Sequence, residues 1–322
     1  MSVVGDALRV LRRNRRPLYG FGLVVTALTT LVGGGIVAAG FLVSWGAFED
    51  ARKDAEFSIA AEDSYVAYAE QMDTLWMVAV VVTVLLLIVA AVVLAVLLTA
   101  HAVAVDHDLN DRGSLSTGEL WARTRPYVGA AVRVQARTWL RALGTAFPGI
   151  VLWNLVEAGA VPGVERTLVG ETATMQYRIV GWALPIAVAG LGLLVYFRHS
   201  VASAALVSEQ SSPKAAVRRS WALTGGAPWK TYGLGLLLTA TVALVFTLVQ
   251  YAAKPVAHPL GLAMLRLSDD NVYITGVLVL ITPTAAALLL LPLVILPPVC
   301  SVAALLHVKL RAEQERRVTS AV

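Results

Sequence analysis

One cysteine, Cys300, stands in the whole chain, so no internal disulfide and no cysteine-rich zinc site can form. It lies within an apolar run, where a buried thiol acts as a small hydrophobe. Charge is equally scarce. Asp, Glu, Lys and Arg make up 15% of the 322 residues against 57% hydrophobic, too few to cover a water-solvated surface of this size. Motifs of chemistry are missing as well: there is no phosphate-cradling glycine loop, serine elbow, paired zinc motif or helical metalloprotease signature. These absences leave lipid as the expected solvent and no catalytic constellation or cofactor to expect.

What is present is a set of long apolar runs. A hydrocarbon core about 30 Å thick takes roughly 20 helical residues to cross. Six runs meet that length, approximately Leu18 to Trp45, Leu75 to Val105, Tyr127 or Trp139 to Ala160, Ile179 to Leu206, Tyr232 to Ala253 and Tyr273 to His307. The first follows a basic N-terminus but exceeds a signal-peptide core, so it is read as a retained helix. In the third, Arg133, Arg137 and Arg141 recur at helical spacing, which leaves its point of entry open. The last is too long for one straight crossing and contains Pro283, Pro292, Pro297 and Pro298, which predict a kink or a break.

The net charge of +5 is unevenly placed, and its distribution predicts orientation, because basic loops resist translocation. Arg9, Arg12, Arg13, Arg15 and Arg16 precede the first run, and Lys309, Arg311, Arg316 and Arg317 follow the last. Arg112, Arg123 and Arg125 lie between the second and third, and Lys214, Arg218, Arg219 and Lys230 between the fourth and fifth. All of these are expected in the cytoplasm with both termini. The acidic stretch Gly46 to Thr74 is expected outside, as are short loops around Val161 to Tyr177 and Lys254 to Val272. Basic residues set beside apolar runs suit anionic headgroups, not nucleic acid. The Arg-rich, Lys-poor basic set fits a high-GC bacterial genome, so the expected location is a bacterial cell membrane.

Three stretches echo one another at intervals close to a hundred residues: His101-Ala-Val-Ala, His199-Ser-Val-Ala and Cys300-Ser-Val-Ala. Before each odd-numbered run, basic helical residues lead into proline: Arg9 to Pro17, Arg123 to Pro126, Arg218 to Pro228. The expectation is an all-α integral membrane fold with six transmembrane helices in three repeated units, 1–111, 112–211 and 212–311, followed by a cytoplasmic tail, 312–322. Each unit would be a cytoplasmic amphipathic helix plus a transmembrane hairpin, parallel in topology and unlike inverted-repeat transporters. In the first, Val4, Ala7, Leu8 and Leu11 share one face opposite Arg9, Arg12, Arg13 and Arg16, as suits a helix lying along the inner leaflet. In the third, Val217 and Trp221 oppose Lys214 and Arg218, and Ser212-Pro213 is placed to cap and start the helix.

The stretch Pro213-Lys-Ala-Ala-Val-Arg-Arg-Ser-Trp-Ala-Leu-Thr-Gly-Gly226, running into Pro228-Trp229-Lys230, resembles the signature of the glycerophosphoryl diester phosphodiesterase membrane-domain family and its actinobacterial and archaeal relatives. The ending Leu305-Leu-His-Val-Lys-Leu-Arg311 is similar too. The resemblance implies a multi-helix membrane module that some relatives carry fused to a catalytic barrel. This chain has no room for such a barrel, so the family name implies no activity here.

Candidate sites are few. His101, His199 and Cys300 would approach one another if three units packed about a pseudo-threefold axis, and could then hold a metal or a proton; the plainer reading is a hydrogen bond to a headgroup or carbonyl. Asn154, Glu157 and Gln250 could line an outward cavity or be solvated at the interface, and Gly33, Gly34 and Gly35 permit close helix approach. Arg9, Arg12, Arg13, Arg16, Arg123, Arg125, Lys214, Arg218, Arg219 and Trp221 are the expected membrane-interface or partner-docking residues. The functional expectation is a non-catalytic membrane module that organises a membrane or cytoplasmic protein partner, or lipids, at the inner leaflet. The alternative is a transporter or exporter of a lipid-like or small solute.

Overall fold

The computed structural model describes residues 3–60, 71–110, 115–164 and 173–320, and every regular element among them is helical. The elements are α1 (Val3–Arg13), α2 (Arg15–Ala60), α3 (Met72–Leu109), α4 (Thr117–Thr124), α5 (Val128–Glu157), α6 (Met175–Tyr177), α7 (Leu184–Arg198), α8 (Ala202–Ser208), α9 (Pro213–Gly225), α10 (Pro228–Leu267), α11 (Val272–Val294) and α12 (Leu296–Ser320). Six stretches are long and apolar enough to cross a membrane: Arg15–Phe57, Met72–Leu109, Thr117–Glu157, Met175–Ser208, Pro228–Leu267 and Val272–Val294.

The long helices pack as the consecutive pairs α2 with α3, α5 with α7 and α10 with α11. Contacts of α3 with α5, α7 with α10 and α11 with α2 close them into a ring. The main core lies at one end of that ring, where the last third of α3 meets α8 and α12. Alanines are interspersed with its valines and leucines, among them Ala100, Ala102, Ala104, Ala204 and Ala304. Small side chains let backbones approach where lipid offers no hydrophobic drive to associate. Of the three echoed stretches, those beginning at His101 and Cys300 contribute to this core, and His199, Val201 and Ala202 are buried beside it.

Prolines shape the helix interruptions. Pro297 and Pro298 have no N–H for the carbonyls of Leu293 and Val294, and the expected sixth run divides at Ile295 into α11 and α12. Pro185 likewise cannot bond the carbonyl of Gly181, and a π-helical segment, Arg178–Ala183, precedes it. By contrast Pro255 and Pro259 do not end α10. The loop expected from Lys254 is helical as far as Leu267, because Ala257 and Gly261 are buried and a Cβ on Gly261 would lie 2.5 Å from Val279 Cγ2 of α11. Packing here outweighs two lost backbone hydrogen bonds.

Other limits move too. Glu49, Asp50, Arg52, Lys53, Asp54 and Glu56, expected in a loop, extend α2, with Arg52 bonded to Glu49 three residues back. Glu62, Asp63 and Glu70 lie outside the described residues, as does Arg112. The expected tail continues α12 to Ser320. Of the three glycines only Gly33 faces a neighbour, Leu86; the close approach of α2 to α3 is made at Gly40, where a Cβ would meet Val82 Cγ2 at 2.7 Å.

Candidate functional site: the basic end of the bundle

The short helices are built into the protein. On α1 the buried side chains are Ala7, Val10, Leu11 and the following Asn14, packed on α12, while Val4 and Leu8 are exposed. The buried face is therefore turned from the one expected, with the protein's own α12 covering it in place of the leaflet. Ion pairs pin the arrangement. Asp6 meets Lys309 of α12 at 2.7 Å, Arg13 meets Asp108 of α3 at 3.3 Å, and Lys230 meets Glu313 at 2.8 Å. Lys309 and Lys230 hold the Asp6 and Glu313 carboxyls below their ordinary range, chiefly by hydrogen bonding.

Some expected docking residues serve this internal frame. Arg219 bonds Glu209 at 3.0 Å and Gln314 at 2.9 Å, and Arg123 lies 3.1 Å from His107 Nδ1. Trp221 lies beneath the Arg198 guanidinium, 4.0 Å from its centroid. Arg9 pairs with its neighbour Asp6 at 3.7 Å. Arg12, Arg16, Arg125, Lys214 and Arg218, with Arg15, are exposed and form no ion pair among the described residues.

His307 completes the frame. It is buried on α12, 3.5 Å from Glu209, too far for a good hydrogen bond. Burial lowers its pKa below the ordinary 6.5, against the opposing pull of Glu209. Above that value neither folded nor unfolded chain protonates the ring. Below it the unfolded chain binds a proton that the native ring resists, so stability falls. The expected outcome is a drop in thermal midpoint from about pH 7.5 to about pH 5.5 that is smaller in His307→Gln. An unchanged pH profile in that variant would assign the drop to other groups.

His101 and His199 are held alike. Each Nδ1 lies 2.8 Å from the carbonyl four residues back, Leu97 and Val195, so Nδ1 carries the proton in both. His199 Nε2 accepts from Arg141 at 3.0 Å, which occupies the nitrogen a metal would need. Cys300 is fully buried. Among the described residues no group of three or more His, Cys, Asp or Glu side chains is placed to hold a metal. Away from this end Tyr177 donates to Glu157, Asn154 to Ile150 O and Gln250, midway along α10, to Thr284, so each has a bond within the protein.

Two of the cavities at this end bear on function. One, of about 430 Å³, is lined by Asp106, His107, Asn110, Arg123 and Tyr127, a polar set of mixed charge. The other, of about 250 Å³, lies among α3, α5, α7, α10 and α12. Its lining is largely apolar, including Leu94, Leu98, Leu234, Leu238 and Val242, with a polar wall of Gln135, Thr138, Tyr196, His199 and Ser203. Neither the arginine-to-histidine bond across 58 residues nor this wall has a sequence pattern by which to find it. A comparison with known protein families, curated proteins and solved structures finds no match to this chain.

Proposed function

We propose that this chain is a non-catalytic multi-pass module of a bacterial cell membrane that gathers anionic lipid headgroups, and through them a partner protein, at its cytoplasmic end. The observation that carries the reading is the set of exposed Arg12, Arg15, Arg16, Arg125, Lys214 and Arg218, which form no ion pair among the described residues, beside a core that fixes the helices bearing them. The helices α1 and α9 pack on the chain's basic C-terminal helix α12, and α4 packs on α2 and α3, while Glu49, Arg52 and Asp269 meet at another place, near the α10–α11 turn. This supports the orientation with both termini inside.

Three copies of one unit are part of the proposal. A short helix precedes a pair of long helices three times, α1 before α2 and α3, α4 before α5 and α7, α9 before α10 and α11. The matching carbonyl bonds of His101 and His199 also favour it. Kinship with the phosphodiesterase membrane-domain family rests on the Pro213 to Gly226 motif, which forms α9 and the turn into α10. Ser212 Oγ caps that helix through Ala215 N at 3.3 Å.

Each basic residue near an anionic surface contributes about 1 kcal/mol of attraction. Charge reversal of Arg12, Arg16, Arg125, Lys214 and Arg218 to Glu should therefore abolish enrichment of anionic lipid around protein extracted with its surrounding bilayer, read by lipid mass spectrometry. Equal enrichment in wild type and variant would remove the lipid-gathering role. Loss of a stoichiometric protein partner from the same variant would place the partner on this face.

A further inference from the structure

We infer that the protein carries a specific site for one phospholipid with an anionic phosphate, its acyl chain entering the cavity between α5, α7, α10 and α12 and its phosphate lying between Arg141 and Arg198. The site deepens the reading above, by adding to a diffuse basic surface one enclosed position.

His199 is the pivot of the geometry. Arg141 donates to its Nε2 at 3.0 Å. Trp221 also lies 5.3 Å from the His199 ring, centroid to centroid, and carries Arg198 on its face. Neither arginine forms an ion pair among the described residues, and the Nε of Arg198 is buried with no hydrogen-bond partner. Arg141 thus bonds one ring of the His199–Trp221 pair and Arg198 covers the other, and an anion reaching both would gain charge-assisted hydrogen bonds from two guanidinium groups.

The cavity beside them supplies the chain site. His199 and Thr138 stand in its wall, and leucine and valine side chains line much of the remainder. Thr138 is 2% exposed, and its hydroxyl has no hydrogen-bond partner among the described residues. A donor left unmet in such a wall fits a glycerol ester oxygen. The volume is below the usual range for a drug-sized ligand, which suits part of one acyl chain better than a whole lipid. A free phosphate would use the arginines and leave the cavity empty; a neutral amphiphile would do the reverse. The mixed-charge cavity at Asp106 offers no comparable anion preference.

The test is native mass spectrometry of the full chain, delipidated in mild detergent and titrated with dioleoylphosphatidylglycerol, dioleoylphosphatidylcholine or inorganic phosphate. One phosphatidylglycerol should bind tightly, and Arg141→Gln with Arg198→Gln should weaken it about tenfold or more. Thr138→Leu fills the cavity without removing charge, and should also weaken binding while leaving the thermal midpoint unchanged or raised. Equal affinity for phosphatidylcholine, retention in the double arginine variant, or full competition by inorganic phosphate would each overturn the site. The surface reversal at Arg12, Arg16, Arg125, Lys214 and Arg218 should leave this single lipid in place, so the diffuse and enclosed sites can fail separately.

Discussion

Gly192→Ala should lower the stability of the bundle by about 3 kcal/mol, whereas Gly190→Ala, two residues away, should leave it unchanged or raise it by up to about 1 kcal/mol. A Cβ at Gly192 would lie 2.5 Å from the carbonyl oxygen of Ala142 and 2.8 Å from Ala146 Cβ, both on α5. Backbone atoms cannot swing aside as a side chain would, so the helices must part. The reciprocal contact is Gly149 of α5, whose Cβ would meet Pro185 O at 2.6 Å and Ala189 N at 3.0 Å. Ala142, Ala146 and Gly149 thus face Pro185, Ala189 and Gly192 along a seam of small residues, the means by which helices associate in lipid. Gly190 has nothing within 4 Å, so alanine there only improves helix propensity. Thermal unfolding in detergent compares the two variants. Equal midpoints would show that the seam is looser than its geometry. Because Gly149 and Gly192 share one interface, their double variant should cost less than the sum of the singles.

The same seam shows how far the sequence could be read. Six apolar runs were legible because hydropathy reports contact with lipid, and six long apolar helices stand where they were expected. Helix ends were not legible. Charged residues such as Glu49 and Arg52 continue α2 through their own side-chain bonding, and hydropathy is blind to a helix once it leaves the apolar region. The facing of α1 was misjudged for a related reason: an apolar stripe can be covered by lipid or by α12, and periodicity distinguishes neither. Ser212 was legible as a cap because capping is local. Glycine contacts were harder. Gly33, Gly34 and Gly35 attract attention as a run, yet Gly149 and Gly192, which stand in no such run, make backbone approaches. The pairing of Arg141 with His199 depends on α5 meeting α7, which only the packed chain reveals.

A second large effect is expected at the opposite end of the bundle, at the turn between α10 and α11. Asp269 and Asp270 adopt φ values of 53° and 62° there, and Asn271 starts the next helix. Its Oδ1 accepts from the N–H groups of Tyr273 and Ile274 at 3.1 and 3.2 Å, while its Nδ2 donates to Phe48 O of α2 at 3.0 Å. The side chain is 1% exposed, so water cannot substitute for either set. Asn271→Ala removes a cap worth about 1 kcal/mol and a buried bond costing about 1–3 kcal/mol to leave unmade. The expected loss is thus about 2–4 kcal/mol, read as a lowered midpoint in detergent. Asn271→Ser separates the terms: its hydroxyl can still cap the helix but is too short to reach Phe48, so about 1 kcal/mol of stability should return. If serine restores nothing, the tie to α2 carries the whole effect. If it restores everything, the cap alone does, and the closure of α11 against α2 depends instead on Arg52, whose guanidinium donates to Asp269 O at 2.7 Å.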